Sequence, residues 1–343
     1  MQKPLISVII PVRNLSDFLI NENLPAMSKQ SYKNFEVIVL PNEKNEMDKD
    51  LLSKYSWLKI IPTHKITRPA LKRDRGVEFA KGNIIAFIDD DAYPSRDWIK
   101  NALQIFDNKK VIAVCGPGLL PTQTNTWEKI FDEVLISKIG SGNYTYRFVK
   151  GKPQFVDDYP SMNFFIQKNI FTKLGGFDNN YWPGEDSKLC EDIVYKEKGK
   201  IFYDPNVTVF HHRRTELKGF LKQHANYGFH RGAFFAHGDN NSRRLVYFIP
   251  TLFIIYLIFS LSSIFVFYLT DILLPQFLLL ISLPLFLYIL LMLSLLLNSF
   301  KNTKNIFISI LTPVVLFLTH LVYGTMFIKG ILKGILNKEK IYE

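Results

Sequence analysis

Three consecutive carboxylates, Asp89-Asp90-Asp91, close the apolar stretch Ile84-Ile85-Ala86-Phe87-Ile88. Adjacent carboxylates repel and raise one another's pKa unless a cation or a basic ligand neutralises them. An oxygen-only cluster of this kind suits Mg2+ or Mn2+ held together with a substrate's phosphates; the alternative is a solvated acidic turn ended by Pro94. A second acidic pair, Glu185-Asp186, follows Trp182-Pro183-Gly184 and opens a helical pattern through Leu189, Cys190, Ile193 and Val194. Simple capping at a helix start, where the macrodipole favours negative charge, also accounts for that pair. The run His211-His212-Arg213-Arg214 supplies imidazoles and guanidinium groups suited to a metal and a diphosphate, the alternative being ordinary exposed loop residues.

These groups sit at the ends of segments with a readable period. Leu5 to Ile10 is a short apolar run stopped by Pro11, the pattern of a parallel strand buried on both faces. Ser16 fits the N-cap of a helix reaching Lys29, and Phe35 to Leu40 follows as a second buried strand stopped by Pro41. Strand, helix and strand in this order form a βαβ unit, which implies a right-handed crossover and a parallel sheet. The plan repeats with a strand from Leu58 to Ile61, a helix from Ala70 to Lys81 and a strand from Asn83 to Asp89. Helix Trp98 to Phe106 and strands Val111 to Cys115, Lys200 to Tyr203 and Thr208 to Phe210 are expected beyond it. The stretch from Gly116 to Tyr159, rich in Gly, Thr, Asn and Tyr, reads as irregular and suited to an acceptor surface. Ligands of such sheets bind at the carboxyl ends of the strands. Pro11-Val12-Arg13-Asn14, Pro41-Asn42-Glu43 and the triple aspartate should therefore meet at one crevice.

The 343 residues, 48% hydrophobic and 14% aromatic, exclude a disordered chain. Two distant cysteines, Cys115 and Cys190, give neither a disulfide framework nor a thiolate metal site, which fits a reducing compartment. Three nearly uncharged stretches, Val246 to Leu269, Leu273 to Leu297 and Ile306 to Ile328, are long enough to span a bilayer. Leu217 to His237 reads as an amphipathic, interfacial helix. The net charge of +11 is concentrated beside the apolar stretches, at Arg213, Arg214, Arg243, Arg244, Lys301, Lys304, Lys329, Lys333, Lys338 and Lys340. Those are headgroup positions, and without a compact basic helix or a zinc pattern nucleic-acid binding is not expected. No signal peptide precedes the first strand, so the first domain is expected in the cytoplasm and the chain in the plasma membrane of a prokaryote. Three complete spans would put the basic tail on the outer face, against the positive-inside rule, unless the last segment, with Pro313 and His320, is re-entrant. The expected division is 1–214, 215–244, 245–328 and 329–343.

Six segments in order resemble the family 2 glycosyltransferases of the GT-A fold, in the membrane-anchored branch similar to succinoglycan-type polysaccharide synthesis. They are Ser7 to Asn14, Phe35 to Val39, Pro69-Ala70-Leu71-Lys72-Arg73-Asp74, Asp89-x-Asp91, Gly175-Gly176-Phe177-Asp178 and Gly184-Glu185-Asp186. The segment Gln223 to Arg231 resembles the one that closes over the donor diphosphate, but lacks the Arg-Trp pair of processive synthases. The resemblance implies an α/β, Rossmann-like, mainly parallel sheet followed by transmembrane helices. It also implies a UDP- or GDP-sugar donor, Mg2+ or Mn2+, and a lipid-linked or glycan acceptor at the membrane. By the same resemblance Asp89 and Asp91 hold the metal, with Asp91 favoured as the direct ligand, and Asp90 faces the ribose. Pro11, Arg13, Lys72 and Arg73 line the base and diphosphate pocket. Asn42 stands where many relatives read the nucleobase with Asp; Asn offers both donor and acceptor.

His211, with His212 as a second candidate, would complete the metal or phosphate contacts. Asp186 would be the general base of an inverting transfer, Glu185 would orient the acceptor or its loop, and His230 and Arg231 would assist the leaving diphosphate. A different class is a degenerate, non-catalytic subunit of a glycan synthesis or export assembly, but a decayed site has no chemical need for Asp89, Asp91 and Asp186 together. A nucleotidyltransferase would bring a Gly-rich, Lys-bearing phosphate loop near the first strand, which the sequence does not contain.

Overall fold

The structure is a computed structural model that describes residues 4–107, 111–177, 184–270 and 275–336. In chain order it contains β1 (Ile6–Pro11), α1 (Leu24–Ser28), β2 (Phe35–Leu40), α2 (Asp48–Lys54), β3 (Leu58–Ile60), α3 (Pro69–Phe79) and β4 (Ile84–Ile88). Next come β5 (Ala92–Pro94), α4 (Trp98–Phe106), β6 (Val111–Cys115), β7 (Gly118–Leu119), α5 (Thr126–Ile136), α6 (Lys138–Ser141), β8 (Gln154–Val156), β9 (Asn163–Gln167) and α7 (Lys168–Lys173). The chain continues with α8 (Glu185–Glu191), β10 (Lys200–Tyr203), β11 (Val209–His211), α9 (Leu217–His237), α10 (Ile249–Thr270), α11 (Pro275–Thr303) and α12 (Ile306–Leu336). Two compact units result: Met1–Thr122 with Tyr146–His212, and Gln123–Thr145 with Arg213–Ile341.

The first unit is built on an eight-stranded sheet of order β3-β2-β1-β4-β9-β6-β10-β8. The continuous apolar runs explain its centre, since every residue of β1, β2 and β4 is buried and these strands pair in parallel. Ser16 caps the first crossover as its residue type suggests, its hydroxyl accepting the Leu19 N–H at 3.2 Å. The helix that follows passes through a π turn, Leu19–Asn23, before α1. Two strands depart from the parallel scheme: β9 runs antiparallel between β4 and β6, and β8 forms an antiparallel edge on β10. A small second sheet has the order β5-β11-β7, and its strand β5 begins directly after the triple aspartate that follows β4. Sequence periodicity misses β9 and α7, which follow one another without a turn signal.

The second unit corrects the reading of 116–159 as irregular. Asn125 and Glu128 form a reciprocal capping box, with Glu128 N–H donating to Asn125 Oδ1 at 2.9 Å and Asn125 N–H to Glu128 Oε2 at 3.0 Å. Helix α5 follows, and Ile130, Phe131 and Val134 on it join Phe220, Leu295, Ile308, Val315 and Leu316 in one apolar core. Arg213 anchors the same helix through Asp132, bonding one carboxylate oxygen with Nε at 3.0 Å and Nη2 at 2.8 Å. Among the described residues, three helices are long and apolar enough to cross a membrane: Ile249–Leu269, Leu279–Thr303 and Ile306–Leu336. Asp178, Trp182 and Pro183 of the acidic-loop motif, Asp271 of the first apolar turn, and Lys338 and Lys340 of the tail lie outside the described residues.

Candidate active site

The carboxyl ends of β1, β2 and β4 bring three of the sequence motifs together. Strand order reverses between β1 and β4, the switch point where open α/β sheets leave a crevice. Pro11 ends β1 buried, Arg13 is exposed beyond it, and the Arg13 carbonyl accepts the Asn42 N–H at 2.9 Å. Lys72 does not line this pocket with a free ammonium group. It is 1% exposed, and its three protons go to the Val12 carbonyl at 2.5 Å, the Leu40 carbonyl at 3.0 Å and Asn42 Oδ1 at 2.5 Å. Burial lowers its pKa to about 8, and the nearby Asp90 charge opposes that shift. Lys72 thus ties two strand ends together and fixes the orientation of Asn42.

The triple aspartate splits into different environments because it turns out of β4 and into β5. Asp89 and Asp91 are partly exposed and, with His211, offer three ligand atoms that all lie within 4.8 Å of one another. His211 arrives there by sheet register: β11 pairs antiparallel with β5, so His211 stands opposite Ala92 and its Nε2 lies 3.1 Å from Asp91 Oδ1. Two carboxylates and an imidazole form a donor set suited to Mn2+ and acceptable to Mg2+. His212 faces the other way, stacked on Phe18 at 4.2 Å with Nε2 3.1 Å from Glu22, so it stands apart from the cluster. Asp90 accepts the Ser16 hydroxyl at 2.6 Å, and burial raises its carboxyl to about 6, reinforced by Asp91 and Asp89.

Arg73, on α3 and 5% exposed, connects the two acidic motifs. Its Nη2 donates to Asp89 at 2.7 Å and its Nη1 to Glu185 at 3.5 Å. Glu185 is buried at the first turn of α8 and its other oxygen accepts the Gly184 N–H at 2.9 Å. Asp186 is held by the N–H groups of Ser187 at 2.8 Å and Ser161 at 3.4 Å. Burial, then the charges of Glu185 and Asp158, raise its carboxyl to about 6. Asp158 escaped sequence reasoning. It is buried, paired with Arg147 at 3.3 Å and bonded by the Ser187 hydroxyl at 2.8 Å, and only its neighbour Asp157 marks it in the sequence.

Asp74 is a second residue whose role the sequence hides. Its carboxylate accepts the Phe177 N–H at 2.9 Å, and a Cβ on Gly176 would lie 2.6 Å from it. Only glycine allows that approach at the observed φ of +80°. His230 and Arg231 lie on α9 in the other unit. There Arg231 donates to Ser242 Oγ at 3.2 Å and stands 4.8 Å over the Tyr247 ring. Burial, helped by Lys333, lowers the His230 imidazole to about 4, so the ring is neutral at pH 7.

Residues 7–175 match the family described as Glycosyl transferase family 2. A curated relative from Methanococcus voltae is a dolichyl N-acetyl-alpha-D-glucosaminyl phosphate 3-beta-D-2,3-diacetamido-2,3-dideoxy-beta-D-glucuronosyltransferase; it is 24% identical over 341 residues, covering 96% of this chain and 98% of the relative. The amylovoran biosynthesis glycosyltransferase AmsB of Erwinia amylovora is 35% identical over 104 residues, 29% of this chain and 33% of its own. Among solved structures, a mannosyltransferase from Pyrobaculum calidifontis in complex with GDP-Man and Mn2+ superposes with a TM-score of 0.52 at 16% identity, over 98% of this chain and 88% of that one. The chain is a glycosyltransferase carrying a family 2 domain of the GT-A fold.

Proposed function

We propose that the protein transfers a sugar, with inversion, from a UDP- or GDP-sugar to a lipid-linked glycan at the cytoplasmic face of a prokaryotic plasma membrane. The observation that carries this reading is the bridge made by Arg73, which ties Asp89 of the Asp89-Asp91-His211 cluster to Glu185, the neighbour of Asp186. Donor end and acceptor end are thereby two halves of one charge network.

Asp89, Asp91 and His211 would hold a divalent cation, Mg2+ or Mn2+, which when bound neutralises charge growing on the departing diphosphate. Asn42, oriented by Lys72, would present an amide to the nucleobase, and Arg13, whose carbonyl accepts the Asn42 N–H, would offer its exposed guanidinium to the diphosphate. Asp186 takes the proton of the acceptor hydroxyl as that oxygen attacks the anomeric carbon. A carboxyl at about 6 is ionised at neutral pH yet more basic than an ordinary aspartate. The sugar–phosphate bond breaks on the opposite face of the ring, which inverts the configuration without a covalent enzyme intermediate. The dolichyl-linked sugar phosphate in the name of the Methanococcus voltae relative supports a lipid-linked acceptor.

The test is a panel of nucleotide sugars with Mg2+ or Mn2+ and protein purified in detergent, following nucleoside diphosphate release with and without a polyprenyl-linked glycan. Release that rises with the acceptor is expected; no release with any donor in either metal would refute the reading.

A further inference from the structure

The three apolar helices are not alike. In the most apolar window of α10 and of α11 only 6% of residues are buried against protein, whereas in α12 the share is 44%. Helices α10 and α11 run antiparallel and meet through side chains, the Tyr256 hydroxyl bonded to the Ile281 carbonyl and Phe253 stacked on Tyr288 at 4.4 Å. Beyond that pairing the two helices expose Leu261, Phe265, Tyr268 and Leu283 on their outer surface, with Tyr268 80% exposed. Such a surface is stable in acyl chains and not in water.

Helix α12 instead packs lengthwise on α9, and glycines set the distance. Gly228 meets the Tyr323 carbonyl, Gly232 the Phe327 carbonyl, Gly330 the Phe229 carbonyl and Gly334 the Ala236 side chain. The contacts advance in the same direction along both helices, so the two run side by side, and Phe220 continues the seam against Ile308, Val315 and Leu316. Helix α9 carries Lys218, Lys222 and Arg231 as well as His224, His230 and His237. A helix with three fixed charges does not lie in hydrocarbon, and a partner bound along its length is kept out with it. Against this pair, α12 meets the first turns of α10, where Gly324 packs on Pro250, and the second half of α11, where His320 bonds Tyr288 at 3.1 Å and Thr312 bonds Ser299 at 3.3 Å. The opposite end of the pair, Leu261 to Leu269 and Leu279 to Leu287, stays mostly exposed. The last turns of α11 also leave the apolar zone, since Asn302 donates to Glu133 of α5 at 3.1 Å.

We infer that the chain crosses the bilayer twice, through α10 and α11, and that α12 lies with α9 along the lipid headgroups on the side that holds Arg243, Arg244, Lys301 and Lys304. Lys329 and Lys333 then fall on that same side, and the exception to the positive-inside rule disappears. The inference is independent of the transfer chemistry.

The test places one protease-cleavable tag before Met1 and another after Glu343 of the full chain, in sealed vesicles of known orientation. A Tyr268→Cys variant is probed in the same vesicles with a membrane-impermeant maleimide; Cys115 and Cys190 are buried and do not compete. Both tags should be cleaved from one face, and Tyr268→Cys should be protected from reagent added at that face. Tags cleaved from opposite faces would mean that α12 crosses as well and would overturn the inference. Labelling of Tyr268→Cys from the tag face would overturn it too, by removing the pair from the membrane.

Discussion

Arg73 serves two carboxylates from distant parts of the chain, and a buried guanidinium shared in this way is costly to remove. Arg73→Met leaves Glu185 and Asp89 without their cation, an expected destabilisation of about 3 kcal/mol, measurable as a lowered denaturation midpoint. Arg73→Lys keeps the charge but presents one ammonium where a planar fork spans two partners, so transfer should fall well before stability does. Asp186→Asn should reduce transfer by about 10²- to 10⁴-fold, the usual worth of a general base, while the thermal midpoint at pH 7 holds or rises, since the amide removes a carboxylate that burial disfavours. Because the Asp186 carboxyl titrates at about 6, wild-type turnover should fall as pH drops through that value. Wild-type rates in purified Asp186→Asn would dismiss the base assignment. Asp91→Ala, or EDTA treatment of the wild type, should abolish diphosphate release, and added Mg2+ or Mn2+ should restore it only in the treated wild type.

Among the elements, the α9–α12 seam makes the firmest demand on residue type. A Cβ on Gly232 would stand 2.1 Å from the Phe327 carbonyl oxygen, and one on Gly330 1.9 Å from that of Phe229. Both obstacles are backbone atoms that cannot rotate away, so Gly232→Leu and Gly330→Leu must push the helices apart, an overpacking cost of about 1 to 3 kcal/mol or more. Gly219 lies on the same helix, and a methyl group there would have no atom closer than 3.6 Å, so Gly219→Ala should be neutral or stabilising by up to about 1 kcal/mol. Thermal midpoints in detergent compare the three; equal midpoints for all would remove the seam as a structural determinant. The β5-β11 pairing acts on the site in the same way, because a one-residue slip would turn His211 away from Asp91.

For the whole molecule, several carboxyls shielded from water, Asp132 and Asp186 among them, bias stability with pH in one direction. Asp74 and Glu133 are raised to about 7 and Asp90 to about 6, each chiefly by burial. Between pH of about 4, where such groups ionise in an unfolded chain, and 7, the unfolded chain has released protons that the folded chain keeps. Their contribution therefore falls as pH rises through that window and is flat above it. The thermal midpoint should be lower at pH 8 than at pH 5, and Asp74→Asn, whose amide oxygen can still accept the Phe177 N–H, should reduce that difference. The strands that carry Pro11, Asn42 and the triple aspartate were legible in the sequence because apolar runs stopped by proline or aspartate are local signals. So were α8 with Glu185 and Asp186, and the three apolar helices. Strand β9 was not legible, since its antiparallel place between β4 and β6 depends on partners far along the chain. Nor was the burial of Lys72, a residue type that composition assigns to solvent. Sequence alone determined which residues could do the chemistry and which segments were apolar, because residue type and period are properties of neighbouring positions. Tertiary structure alone decided that Arg73 joins the two acidic motifs, that His211 and not His212 meets Asp91, and that α12 packs on a charged helix, because each is set by surfaces that meet only after distant segments have packed.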